Sequence, residues 1–374
     1  MKVLSFIIFF CIFLVSCGGK NIRESNFNKE IYNPYYSSNF IIEEDSVTNN
    51  VRISVLNPWQ GAQNVTSTLL VSKNEDIIDE KNPVLKGKAD RIICMSSTHV
   101  AMLDALGAVN KIVAVSGKQY ITNPYIHRKD AAIPDIGYEG NIDYETLLAV
   151  KPDLVLLFSV NGESGMEPKL KELGVPYLYV GDYVEDSPLG KAEWIIPVAE
   201  VLGIRDKGIQ KFDEISHRYE SLKNKISDKY LGKPKIMVNA PFADSWFMPS
   251  TESYVARMIK DAGGEYIYKK NTGNSSMPIE MEEALKLVSE ADYWINIGGI
   301  KNLKEFKSTF PKFINTDCVK KGNLYNNNRL TTPGGGNDCY ESGVVNPDLI
   351  LKDMIKIFHP ELSEEDFTYY QKLE

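Results

Sequence analysis

Histidine is scarce in this chain: its 374 residues include four, His99, His127, His217 and His359. A site for a bare transition-metal ion needs several imidazole, thiolate or carboxylate groups converging, so a resident metal is not expected. Cysteine is almost as sparse, with five residues: Cys11, Cys17, Cys94, Cys318 and Cys339. Their spacing fits no zinc or iron–sulfur pattern. A basic excess is also missing. The formal net charge is −8, which argues against nucleic acid, whose recognition needs a positive footprint. No nucleophile motif, zinc-protease signature or dinucleotide fingerprint is present. The one glycine-rich run, "PGGGND" (333–338), lacks the Gly-Lys-Ser/Thr ending of a phosphate loop and reads as a cleft-edge loop. An enzyme would have to rest on Glu139, Asp182 and His99 as acid–base groups, with nothing to single them out. A non-enzyme is expected, with no cofactor.

Long apolar runs are missing too, apart from one at the start. Residues Val3 to Val15 follow a single lysine, too short for a membrane span but fitting the core of a secretory signal. The stretch Leu14-Val15-Ser16-Cys17 resembles the bacterial lipobox, in which the cysteine is acylated and becomes the mature N-terminus. Residues 1–16 are thus expected to be a lipoprotein signal peptide, with Cys17 as the lipid anchor. Residues 17–50, rich in Asn, Ser, Glu and Tyr without periodicity, read as a flexible tether. Cys94 sits in the apolar run "RIICM" and reads as a core thiol. A Cys318–Cys339 disulfide is permitted in an oxidising compartment, and the sequence does not decide it.

Residues 51–73 read as one or two strands leading into a first domain. From Arg91 the pattern is regular: "RIICM", "KIVAVSG", "DLVLLFS" and "PYLYVG" as strands, with amphipathic helical runs between them. Such alternation predicts a parallel sheet with crossover helices. Between 190 and 230 the apolar positions Ile209, Phe212, Ile215, Tyr219, Leu222 and Ile226 step by three or four, which predicts a long helix. Alternation then resumes through "KIMVNA", "DYWINIG" and "NLYNNN", and "NPDLILKDMIKIFHP" gives a closing helix. The expected fold is α/β, with two Rossmann-like lobes over 51–189 and 231–374 joined by one long rigid helix over 190–230.

One cassette occurs twice. "IDYETLLAVKPDLVLL" (142–157) and "IEMEEALKLVSEADYWIN" (279–296) each run aliphatic, acidic, apolar, glutamate, then a helical stripe, an Asp and a strand. With the bridging helix and the closing helix, this cassette resembles the substrate-binding proteins of ABC importers for iron complexes and cobalamin. The likeness covers about residues 88 to 360. The phrases "DIGYEGNIDYE", "DSWFMPSTESYVARMIKDAGGEYIYKKNTG" and "GGGNDCYESGVVNPD" look like a subgroup of lipid-anchored members from Bacteroides-like bacteria. The resemblance implies a monomer that captures an iron chelate and delivers it to permease subunits, with a corrinoid or haem as the alternative cargo. It also implies that a glutamate on each lobe meets arginines of the permease, and the matching positions are Glu145 and Glu282.

In open α/β sheets, ligands bind beyond the carboxyl ends of the strands. That rule selects Ser96, Ser97, Thr98 and His99 after the first strand, and Ser116, Lys118, Gln119 and Tyr120 after the second. It further selects Tyr138 and Glu139 before the first cassette, then Ser159, Asp182 and Tyr183. On the second lobe it selects Trp246 and Met248, then Asn328, Arg329, Asn337, Asp338, Tyr340 and Glu341. Aromatic rings mixed with polar groups suit a bulky chelate better than a bare ion. His99 is the one histidine placed in the cleft, where it sits in a helix N-cap neighbourhood, hydrogen-bonds a ligand or ligates its metal.

Overall fold

A computed structural model describes residues 26–374, apart from 74–76, 78, 228–231, 274 and 363. The signal peptide and Cys17 therefore lie outside the described residues. The described residues open with strands β1 (Phe27–Tyr32), β2 (Phe40–Asp45), β3 (Val51–Leu56), β4 (Thr66–Ser72) and β5 (Val84–Lys86), which form one sheet in that order. The expected tether is corrected here, since two of these strands lie within it. Phe40 and Ile42 on β2 and Val51, Ile53 and Val55 on β3 are fully buried. On the outer face Arg52 pairs with Glu43 at 2.7 Å. Alternation of this kind is what a half-buried antiparallel strand requires.

The segment joining β1 to β2 is held by two buried carboxylates from far along the chain. Glu193 accepts from the Tyr32 hydroxyl and from the backbone N–H groups of Tyr35, Tyr36 and Ser37, at 2.7 to 2.9 Å. Glu185 accepts from the Ser37 hydroxyl, the Asn39 amide and the Trp194 indole. A buried carboxylate surrounded by donors in this way replaces its hydration shell with fixed hydrogen bonds.

The first α/β lobe contains β6 (Ile92–Cys94), α1 (Ser97–Ala105), β7 (Ile112–Val115), the ribbon β8 (Gly137–Tyr138) and β9 (Asn141–Ile142), and α2 (Tyr144–Ala149). It continues through β10 (Leu154–Leu157), α3 (Glu167–Glu172) and β11 (Tyr177–Tyr179). Its sheet runs β11-β10-β6-β7, all parallel. Strands β6 and β10 are buried at every position, as strands covered on both faces must be.

The stretch read as one bridging helix is three helices: α4 (Pro188–Glu193), α5 (Ile195–Val201) and α6 (Arg205–Ser227). Pro197 has no N–H to donate back to Glu193, which fits a break at that point. Gly203, at φ +71°, then ends α5 in the left-handed region. The long element is thus α6, 23 residues or roughly 34 Å. It packs on α5 at one end. Further along, Arg218 pairs with Asp348 at 2.6 Å and the Tyr219 hydroxyl donates to Asp261 at 2.8 Å, both on the second lobe.

The second lobe contains β12 (Lys235–Val238), β13 (Trp246–Met248), α7 (Tyr254–Asp261), β14 (Glu265–Tyr266), β15 (Met277–Ile279), α8 (Met281–Glu290) and β16 (Tyr293–Ile295). After these come α9 (Leu303–Thr309), α10 (Asp317–Lys320), β17 (Leu324–Asn326), α11 (Pro347–Phe358) and β18 (Gln371–Lys372). The sheet order is β14-β12-β16-β17-β18, parallel except for β18. The two cassettes occupy matching places. Each follows a two-stranded antiparallel ribbon, β8–β9 or β13–β15, and each feeds the strand paired with the first strand of its lobe's parallel sheet. No helix among the described residues is long and apolar enough to cross a membrane.

Candidate functional site

The carboxyl ends of β6, β7 and β10 open on a recess of about 400 Å³. Ser97, Tyr120, Tyr138 and Glu139 line it, with Ser116, Phe158, Ser164 and Met166. The rings of Tyr120 and Tyr138 sit 6.2 Å apart, and each is nearly half exposed. Gln119 donates to the Tyr138 hydroxyl at 3.0 Å, and Glu139 accepts from the Gly165 N–H at 2.7 Å. These bonds hold the rings and the carboxylate at the rim.

A second recess, about 630 Å³, lies where both lobes meet the N-terminal sheet. Thr98, Tyr183 and Tyr340 line it, together with Asp182, Lys191 and Tyr254. The Lys191 ammonium donates to the Asp182 carbonyl at 2.6 Å and lies 5.5 Å from the centre of the Tyr254 ring. Burial raises the Asp182 carboxyl above its ordinary value, while Lys191 and the Thr98 hydroxyl pull it back. Burial also lowers the Lys191 ammonium, against the opposing pull of Asp182, Glu185 and Asp186.

The glycine-rich loop reaches from the second lobe to the first. The Thr332 hydroxyl donates to the Gln119 carbonyl at 2.7 Å. A Cβ on Gly334 would stand 2.5 Å from that same oxygen, and one on Gly336 would stand 2.1 Å from the Tyr120 carbonyl. Only glycine lets two backbones approach so closely. Beside this contact the Thr122 hydroxyl donates to Asp338 at 2.7 Å, and the N–H groups of Thr122 and Asn123 donate to Glu341 at 2.6 and 2.9 Å. Asp338 and Glu341 thus join the lobes; neither lines the two recesses above.

Several expected cleft residues point elsewhere. His99, on the buried face of α1, is fully buried, its ring edge-on to Phe158. Neither ring nitrogen has a partner of hydrogen-bond geometry. Trp246 and Met248 are fully buried, and the Trp246 indole donates to the Val238 carbonyl. Asn328 is buried between the Ile300 carbonyl, to which it donates, and Gln371, from which it accepts. The Lys118 ammonium donates to the Ile133 carbonyl at 2.6 Å and so ties down its own loop. Arg329 is exposed and lines neither recess. Several loops that the strand-end rule selects do line the recesses, but a loop's first residues often turn back into the core. Missed altogether were Asn57, Trp59 and Gln60, from the β3–β4 turn, and Lys191 from α4. The turn residues of "NPWQGAQN" signal a hairpin but not what it packs against.

Of the other histidines, His127 bonds to the Ile121 carbonyl and His359 is buried. Among the described residues no group of three or more His, Cys, Asp or Glu is placed to hold a metal ion. Cys94, Cys318 and Cys339 are buried free thiols, so the Cys318–Cys339 pairing is not formed.

Burial depresses the His99 pKa to about 3 from an ordinary 6.5, and the Leu156 carbonyl offsets this only in part. The unfolded chain therefore binds a proton that the folded chain refuses, and stability falls as pH drops below 6.5. One such proton is worth about 1.4 kcal/mol per pH unit. Between pH 6.5 and 5 the wild-type protein should lose about 2 kcal/mol relative to a His99→Leu variant. Urea denaturation of both at the two pH values measures this; parallel losses would remove His99 as the cause.

Two α/β lobes joined through a long helix thus carry aromatic and polar recesses at the strand ends. Over residues 92–327, more than half its length, the chain matches the family model described as periplasmic binding protein. It belongs to that family: an extracytoplasmic, non-enzymatic substrate-binding protein of the ABC-importer type. An uncharacterized lipoprotein of Methanocaldococcus jannaschii is 24% identical over 85% of this chain and 80% of its own. A periplasmic haem-binding protein of Pseudomonas aeruginosa superposes with a TM-score of 0.59 at 15% identity, covering 76% of this chain and 98% of its own. A ferric hydroxamate transport-system protein of Saccharomonospora viridis gives 0.53 at 17% identity, covering 73% and 94%.

Proposed function

We propose that this protein is a lipid-anchored receptor that captures an iron chelate of the siderophore type and delivers it to an ABC permease. The observation that carries the reading is the pair of recesses at the strand ends, with Tyr120, Tyr138, Tyr183 and Tyr340 exposed on their walls. Broad aromatic faces mixed with polar groups match a large chelate, and among the described residues no cluster is placed to hold a naked ion. The ferric hydroxamate protein of like fold supports the cargo class. The haem-binding protein of like fold favours haem as the second reading. Native mass spectrometry of protein purified from its own cell envelope tests both. An intact iron chelate released on denaturation supports the first, haem the second, and a chemically altered ligand would overturn both.

The anchor reading rests on the lipobox at Cys17 and is supported by the relative named as a lipoprotein. A placement within a Bacteroides-like subgroup rests on the sequence phrases alone, and this archaeal relative adds nothing to it. A Cys17→Ser variant should fold yet leave the membrane fraction. If it still partitions into detergent, Cys17 is not the anchor.

A further inference from the structure

We infer that the cleft selects a chelate without net negative charge, and that the β3–β4 turn of the N-terminal sheet supplies one of its walls. The inference rests on the binding-protein reading and narrows its cargo. Three carboxylates, Asp182, Glu185 and Asp186, line the larger recess against one cation, Lys191, whose ammonium is already engaged by the Asp182 carbonyl and the Tyr254 ring. Among the described residues Glu139 is the only acid lining the smaller recess, and no lysine or arginine lines it. Lys118, close by in sequence, is turned away onto Ile133. Like charges brought together in a partly enclosed cleft repel more strongly than in open water. A ferric tricatecholate is a multiply charged anion, and haem carries ionised propionates. A ferric trihydroxamate is neutral, or cationic where it bears a free amine. Only the last meets no repulsion here.

The wall comes from outside the region that matches the family model. Gln60 donates its backbone N–H to the Val160 carbonyl at 3.0 Å, which seats the turn above the end of β10. Trp59 leans edge-on against Tyr179, 5.9 Å between centres, and joins Tyr183 and Tyr340 around the larger recess. An indole there adds a rigid contact face at low entropy cost.

Titration of tryptophan fluorescence at low salt, on the full-length protein, tests both parts. The probes are ferrioxamine B as a cationic trihydroxamate, an iron tricatecholate, and haemin. The trihydroxamate should bind at least about tenfold tighter than the other two. Asp186→Lys should narrow that gap by strengthening the tricatecholate. Trp59→Tyr should weaken the trihydroxamate several-fold without moving the melting temperature. A tricatecholate or haemin bound as tightly as the trihydroxamate would overturn the charge selection and leave the binding reading standing. An unchanged trihydroxamate affinity in Trp59→Tyr would remove the wall. No saturable binding of any probe would overturn the inference together with the iron-chelate reading beneath it.

Discussion

Reversing both Glu145 and Glu282 to arginine should abolish uptake of the cargo while leaving its affinity within a few-fold of wild type. Both residues are exposed in the first turn of their helices, α2 and α8, and neither lines a recess. The neighbouring Glu283 is paired with Lys270 at 2.6 Å, which makes Glu282 the more available of these two charges. If permease arginines meet these carboxylates, each reversal places like charge against like and costs on the order of several kcal/mol at the docked interface. Single reversals should transport at intermediate rates, because one contact still orients the encounter. Uptake of labelled chelate in cells, set beside binding by the purified variants, separates the outcomes. Equal loss of binding and uptake would put the glutamates in the cleft and end the docking reading.

Replacing Glu193 with alanine should destabilise the protein by about 3–5 kcal/mol, because one carboxylate satisfies four hydrogen-bond donors at once. Its side chain is fully buried and accepts four hydrogen bonds. Without it the Tyr32 hydroxyl and three backbone N–H groups lose their acceptor, and each buried unsatisfied donor costs about 1–3 kcal/mol. Part of this is recovered if water enters, so the total falls short of the simple sum. The segment between β1 and β2 should then loosen before the lobes do. Urea denaturation gives the magnitude, and limited proteolysis should find new cleavage between residues 32 and 40. A loss below about 1 kcal/mol would show that other contacts hold the segment.

The lobes were legible because their strands and helices announce themselves locally. Ile92–Cys94 and Leu154–Leu157 are short apolar runs, and the cassette helices carry a clear period of three to four. Of the N-terminal sheet, β3 and β4 were legible within 51–73, but β1 and β2 were not, for an equally physical reason. Its first strand is largely exposed, and the stretch after it is stabilised by Glu185 and Glu193, about 150 positions away. Nothing in "NPYYSSN" signals those partners. The site shows the same division. Tyr120 and Glu139 lie on turns and Tyr138 on the β8–β9 ribbon, all where the strand-end rule looks, and they line the smaller recess. Whether His99 faced the cleft or the core depended on the turn of α1, which its neighbours in sequence do not fix. The split of the expected bridge could have been read from Pro197 and Gly203, both visible as helix breakers.

The direction of the cassette helices carries one more consequence. A crossover helix returns against the strands it connects, so its N-terminus lies at the same end of the sheet as the strands' carboxyl ends. Glu145 and Glu282 therefore stand beside the mouth of the cleft rather than on the far side of the molecule. A transporter that grips both carboxylates would come down over the opening like a lid. The cargo's exit would then face the translocation path, and docking itself would decide where release can lead.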